Sequence, residues 1–284
     1  AAQCAGGLVI STRDLQAMST PGPVMQVAAG VSIDELLRAS VPAGFFVPVT
    51  PGTRYVSLGG ALASDIQGKN HHADGALSAH TEAIDMVLAS GEQVTITPDS
   101  DPDLFWATTG GMGLTGLITG ARIRMRPIES SRLLVDTLRA ENLDALIEAM
   151  YEADATHRYS VAWVDTLATG RKLGRSVLTV GDFAKVQDLP AKQRSNPLAY
   201  SPASPVRAPR VFPDFALNRF SVAAFNEMWF RKAPKRRLGE LQSIPTFFHP
   251  LDGVGDWNHI YGPRGFVQYQ VIVPDGQEAV LRSL

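Results

Sequence analysis

The sequence predicts separate helices and antiparallel strand pairs, divided between two domains. Three observations lead there. Residues 83–88 and 93–96 are apolar, strand-like runs flanking Ser90-Gly91, a hairpin signal, and residues 159–165 and 176–180 form a second such pair. Between the pairs lie helical segments with their own start signals. At 284 residues there is room for about two domains at ~150 residues each, and the character of the chain changes around Pro127-Ile128-Glu129. The boundary is therefore set at 128, giving domains 1–128 and 129–284.

In chain order, Gly7-Leu8-Val9-Ile10 is strand-like, and residues 23–29 read as a strand between turn signals. Ser32-Ile33-Asp34-Glu35 is a capping box that starts a helix over 33–40, which the turn at Pro42-Ala43-Gly44 ends. Residues 45–49 form a short buried strand. Residues 58–63 begin a helical turn whose free amides are expected to face a ligand. Asp101-Pro102 starts another helix, with aspartate as cap and proline in the first turn. Residues 116–126 alternate like a half-buried strand. In the second domain, 133–138 is a strand, and 142–153 is an amphipathic helix with Leu143, Leu146, Ile147 and Met150 on one face. Residues 189–213 carry six prolines and no periodicity, which predicts a long loop. Residues 265–273 alternate strongly, so Phe266, Gln268 and Gln270 share a strand face, lining a polar pocket or a solvated sheet surface.

Composition excludes some functions. A net charge of −2 gives no electrostatic case for nucleic acid. The single cysteine, Cys4, rules out an intrachain disulfide. No apolar run approaches the ~18 residues of a membrane span, so the chain reads as soluble or peripherally membrane-associated, in an unassigned compartment. The dense basic run at 231–237 is either a solvated segment or a contact for anionic lipid headgroups or phosphate. His71 and His72 are adjacent and diverge, with no carboxylate or cysteine at ligand spacing, so no metal site is expected.

One run stands apart. Residues 51–72, from Pro51-Gly52-Thr53 through Leu58-Gly59-Gly60-Ala61 to Asn70-His71-His72, combine small residues, polar donors and charge. Glycine lets backbone amides approach a large ligand closely. Gly111-Met112-Gly113-Leu114-Thr115-Gly116 matches G-x-G-x-x-G, with Asp136 near the distance of a ribose-binding acid. A Rossmann site needs a strand before that motif and a helix after it; here the order is reversed, leaving a glycine loop that feeds a strand.

On Pro51-Gly52-Thr53, Gly59-Gly60-Ala61 and Asp65…Gly68-Lys69-Asn70-His71-His72, the chain resembles flavoproteins of the vanillyl-alcohol oxidase, or p-cresol methylhydroxylase (PCMH), superfamily. The likeness runs collinearly through Leu104-Phe105-Trp106, Ala162-Trp163, Lys172-Leu173-Gly174-Arg175, Phe248-His249-Pro250 and Gln268-Tyr269-Gln270. It implies an α+β chain: a PCMH-type FAD-binding domain over 1–128, then an antiparallel-sheet substrate domain over 129–284, with non-covalent FAD. Implied cofactor contacts are Pro51, Gly52, Thr53, Val56, Gly59, Gly60, Ala61, Ser64, Asp65, Gly68, Gly113 and Ile118. Lys69, Trp163, Gln268 and Gln270 are implied to line the substrate pocket. Within the superfamily, the resemblance is to enzymes that move hydride from C2′ of a polyprenyl-phosphate-linked ribose to FAD in cell-wall arabinan precursor synthesis, with a partner reductase completing the epimerisation. Other readings are a sugar or aldonolactone oxidase of the same superfamily, and an inactive flavin-fold remnant or binding module.

Three positions depart from the family pattern: Gln67 stands for a histidine beside the flavin, Val161 for a pocket serine and Phe248 for a tyrosine. The ends also depart. The chain opens on Ala1, and residues 277–284 look like a helix cut short. The implied pyrophosphate loop would precede Ala1 and the implied catalytic lysine would follow Leu284, so the chain reads as an internal fragment that binds FAD weakly, if at all.

Overall fold

The computed structural model describes residues 6–203, 206–208, 217–262, 265–274 and 276–283. The chain divides into two compact units, Ala1–Ser131 with Lys185–Ser201, and Arg132–Ala184 with Pro202–Leu284. Cys4 lies outside the described residues.

In the first unit, β1 (Val24–Ala28) alternates as its sequence predicts, with Met25 and Val27 fully buried. The capping box then starts α1 (Ile33–Ser40): Ser32 Oγ accepts from the Glu35 amide, and the Glu35 carboxylate accepts from the Ser32 amide at 2.8 Å. A 3₁₀ turn over Val41–Ala43 ends at Gly44, which holds φ 86°. The strand expected over 45–49 shrinks to β2 (Phe45–Phe46). Pro48 has no amide to continue a ladder, though residues 46–50 stay buried. Then come α2 (Leu58–Ala63), α3 (His71–Asp74), β3 (Thr81–Val87), β4 (Gln93–Ile96), α4 (Pro102–Thr108), β5 (Leu117–Arg124) and β6 (Arg126–Pro127). The main sheet is antiparallel in the order β1-β5-β3-β4, and β2 pairs with β6. One predicted cap fails in detail. Asp101 precedes α4, but its side chain does not cap the helix; it accepts instead from Ser100 Oγ at 2.9 Å. Residues 8–10 form no strand and are exposed.

The second unit is built on β7 (Arg132–Ala140), α5 (Leu143–Asp154), β8 (Tyr159–Val164) and β9 (Ser176–Phe183). A one-turn helix, α6 (Ala191–Arg194), and a short strand, β10 (Val206–Arg207), interrupt the predicted loop over 189–213; residues 204, 205 and 209–213 fall outside the description. Residues 185–201 were assigned to the second domain by sequence, but they pack with the first unit. Leu189 is buried there, and the Ser131 hydroxyl donates to the Ala199 carbonyl at 2.7 Å.

Further elements have no counterpart in the sequence reading: α7 (Arg219–Lys232), β11 (Arg236–Ser243), α8 (Ile244–Phe248) and β12 (Val254–Gly255). The sheet order is β11-β7-β9-β8, all antiparallel. Leu143 and Leu146 of α5 cover one face against Leu178 and Val180. Tyr159, Phe183, Phe247 and Phe248 form an aromatic cluster, with Tyr159 and Phe248 edge to face at 5.0 Å. Asp136, the acid of the glycine-loop motif, accepts from the Gly239 amide at 2.7 Å where β11 bulges. Residues 265–273, expected as a strand, form none, and Gln268 and Gln270 are exposed. Alternation shows which side chains would share a face, but a strand also needs a neighbour to take its backbone hydrogen bonds.

A buried ionic network ties α7 to the end of the β8–β9 pair. Arg175 donates to Asp165 Oδ2 through Nε and Nη2 at 2.9 and 2.7 Å, and Asn226 donates to Asp165 Oδ1 at 2.7 Å. Burial alone would raise the Asp165 carboxyl, but the hydrogen bonds from Arg175 and Asn226 hold it below its ordinary 3.8. Arg175→Met leaves that carboxylate buried without its cationic partner, so urea denaturation should show a loss of about 3–5 kcal/mol. Because the folded-state value is depressed, the contribution of Asp165 is present above its unfolded pKa and lost as pH falls below about 4. In Asp165→Asn the acid side of the stability profile should accordingly be flatter.

Candidate cofactor site

The run 51–72 is held from both ends by buried polar groups. Arg54, only 2% exposed, donates Nε to Asp34 Oδ1 at 2.6 Å and Nη2 to the Tyr55 hydroxyl at 2.8 Å. Backbone bonds reinforce the attachment: the Asp34 amide to the Arg54 carbonyl at 2.8 Å, and the Ile33 amide to the Val56 carbonyl at 3.0 Å. At the far end, buried Asn70 donates Nδ2 to the Pro48 carbonyl at 2.9 Å and to Asp74 Oδ2 at 2.6 Å. Sequence reasoning singled out neither residue for this. Nothing local separates Arg54 from a solvated arginine; its partner Asp34 lies twenty residues earlier, in the first turn of α1.

The expectation of free amides at the start of α2 is overturned. The Leu58 amide donates to the Val31 carbonyl at 2.8 Å, the Gly59 amide to the Ala29 carbonyl at 2.9 Å, and the Gly60 amide to Ser57 Oγ at 3.3 Å. Protein acceptors satisfy them before any ligand arrives. Gly59 itself answers to packing, because a Cβ there would lie 2.9 Å from that of Ala29. At Gly68 a Cβ would meet Asn70 Oδ1 at 2.7 Å. Gly52 and Gly113 differ: each faces open space, and Gly113 also holds φ 77°.

The implied cofactor residues therefore separate by accessibility. Gly52, Gly60, Ser64 and Gly113 are exposed; Pro51, Thr53, Val56, Gly59 and Gly68 are half-buried. Ala61 and Ile118 are core residues of α2 and β5. Asp65 is partly committed, since its carboxylate accepts the Ser78 amide at 2.9 Å and the Ser78 hydroxyl at 2.8 Å. The glycine loop folds onto the C-terminal end of α2: the Gly110 amide donates to the Leu62 carbonyl at 3.0 Å and the Met112 amide to the Ala63 carbonyl at 2.8 Å. Ser64 Oγ reaches Met112 Sδ at 3.9 Å. The fold thus brings Ser64 beside the loop that carries Gly113, across 48 residues of chain. The open space at Gly52 and Gly113 and the exposed Ser64 hydroxyl leave room for a flavin nucleotide.

Of the implied substrate residues, Lys69 belongs to this first unit, next to anchored Asn70. Burial lowers its ammonium from 10.5 to about 8. Gln67 is half-buried; His71 and His72 are exposed. Trp163, Gln268 and Gln270 belong to the second unit. Trp163 lies half-buried on edge strand β8, two residues from Val161, while their neighbours Ala162 and Val164 pack toward α5. Phe248 is a buried member of the aromatic cluster, so its change from tyrosine falls in packed interior.

The family described as FAD binding domain matches residues 1–97. The chain is 40% identical over 278 residues to the decaprenylphosphoryl-β-D-ribose oxidase of Mycolicibacterium smegmatis, covering 96% of this chain and 60% of that protein. It is 36% identical to an uncharacterized Streptomyces coelicolor protein, over 89% of this chain and 70% of the other. Cytokinin dehydrogenase 4 of Arabidopsis thaliana is 30% identical over 132 residues, 44% of this chain and 25% of its own. The chain thus spans about 60% of the length of the mycobacterial relative.

Lys69 gives a direct electrostatic prediction. With its folded pKa below its unfolded one, the unfolded state binds more protons between about 8 and 10.5, so folding stability should rise with pH across that window. In Lys69→Met that rise should be diminished, as followed by thermal unfolding at stepped pH.

Proposed function

Because this chain belongs to the FAD-binding flavoprotein family that includes the mycobacterial decaprenylphosphoryl-β-D-ribose oxidase, we propose that it serves an FAD-dependent oxidoreductase acting at C2′ of a polyprenyl-phosphate-linked ribose. The observation that carries this reading is the 40% identity sustained over 96% of the chain, which includes the anchored run 51–72. In the reaction a secondary alcohol loses two electrons and two protons and becomes a ketone. Bound FAD supplies the two-electron acceptor.

The work assigned to this chain is binding and orientation. Backbone at Gly52, Thr53 and Gly113 and the hydroxyl of Ser64 would hold the cofactor. The Lys69 ammonium, lowered to about 8 by burial, can donate hydrogen bonds to a sugar hydroxyl or phosphate oxygen at neutral pH. In the second unit, Trp163, Gln268 and Gln270 are the proposed substrate contacts. A partner reductase would return the keto sugar to the epimeric alcohol. Among the described residues no helix is long and apolar enough to cross a membrane.

Anaerobic bleaching of the flavin absorbance tests this reading. Polyprenyl-phosphoryl ribose should bleach the flavin of the full-length protein, while free lactones should not; bleaching by free lactones alone would overturn the substrate assignment. Gly52→Ala supplies an independent check on the cofactor surface. Its new methyl meets no protein atom, so stability should stay within about 0.5 kcal/mol. Flavin retention should nevertheless fall by about 10-fold, the equivalent of ~1.4 kcal/mol of binding. Unchanged retention would remove Gly52 from the site.

A further inference from the structure

Helix α7 carries large apolar side chains on the side turned to water as well as on the side it buries. Asn226 and Phe230, one turn apart, are its buried residues. Phe220, Phe225, Met228 and Trp229 are nevertheless exposed, by 85, 50, 58 and 42%, interspersed with exposed Arg231 and Lys232. Phe225 and Trp229 stack at 6.0 Å, giving one continuous aromatic surface. A helix face turned to water is ordinarily polar.

The charge around this face has one sign. Arg231, Lys232, Lys235, Arg236 and Arg237 follow within seven residues, spanning the end of α7 and the start of β11. The nearby carboxylates are engaged locally. Glu227 pairs with Arg175 and Arg231, each at 2.5 Å, and Glu240 pairs with Arg237 at 2.7 Å. Among the described residues no carboxylate pairs with Lys232, Lys235 or Arg236, and all three are exposed. Exposed phenylalanine, tryptophan and methionine beside unpaired lysine and arginine are the residue types of a bilayer-interface contact: rings can enter the acyl boundary while the cations meet anionic headgroups.

We propose that α7 and the basic run after it form a docking surface for an anionic lipid bilayer. The apolar face supplies insertion, and the cations supply preference for negative headgroups. This surface stands independently of the oxidoreductase reading, because vesicle binding requires no flavin.

Co-sedimentation of the full chain with vesicles tests it. Binding is expected to phosphatidylcholine vesicles containing phosphatidylglycerol, to be weaker on phosphatidylcholine alone, and to diminish in about 1 M salt, where the screening length is ~3 Å. K232Q/K235Q/R236Q should lower partitioning onto the anionic vesicles on the order of 100-fold, at ~1 kcal/mol per cation. F225S/W229S should weaken binding to both compositions, with circular dichroism unchanged because the substituted side chains are exposed. Trp229→Phe provides a readout of position: the native protein's tryptophan emission should shift to the blue on vesicles, and this conservative variant should lose most of the shift while still binding. Failure to bind anionic vesicles, equal binding by the charge variant, or a full blue shift in Trp229→Phe would overturn the proposal. So would light scattering that shows F225S/W229S dissociating a dimer while vesicle binding stays intact, since the face would then belong to a second copy of the chain.

Discussion

The buried ion pair between Arg54 and Asp34 is the contact on which the first unit's surface arrangement depends. A guanidinium almost fully removed from water is costly unless a carboxylate meets it, and loss of Asp34 would take away the carboxylate that Arg54 Nε meets. Asp34 lies in the first turn of α1, whose start is fixed by the Ser32–Glu35 capping box. The pair therefore ties the approach to α2 to the beginning of α1. From there the constraints follow in sequence. Ser57 bridges Ser32, α2 begins with its amides committed to Ala29 and Val31, and the glycine loop folds onto the other end of α2. Tyr200, from the returning segment 185–201, reports how dry this region is: burial pushes its hydroxyl up to about 12.

Much of this was legible where the determinant is local. The capping box at 32–35, the hairpin around Ser90-Gly91 and the buried face of α5 each depend on residues a few positions apart, and the structure has them. What escaped depends on distant partners. Arg54 looks like any surface arginine until Asp34 is brought to it. Residues 265–273 alternate well, yet alternation cannot supply a neighbouring strand. Asp101 has the right letter for a cap, but Ser100 takes its carboxylate. Helix α7 went unread for a different reason: apolar residues occur all around it, so no single stripe at helical spacing marks a core-facing side.

The site was legible as a location more than as a set of roles. Close packing and ligand approach both favour glycine, because each forbids a Cβ. Gly59, against Ala29, and Gly52, facing open space, are the same letter held for different reasons, and only the three-dimensional surroundings separate them. The resemblance named both as cofactor contacts. The structure gives Gly59 a sufficient cause within the protein and leaves Gly52 without one.

The same distinction organises the charged residues. Asp65 and Asn70 have protein partners that account for their positions, so their polarity says little about a ligand. Lys69 lies in the same half-buried stretch with its ammonium destabilised by lost hydration. Both conditions follow from close packing of the run itself, where a Cβ on Gly59 would meet Ala29 and one on Gly68 would meet Asn70, so the polarity of 51–72 is set first by the unit's own contacts and only then by what a ligand could add.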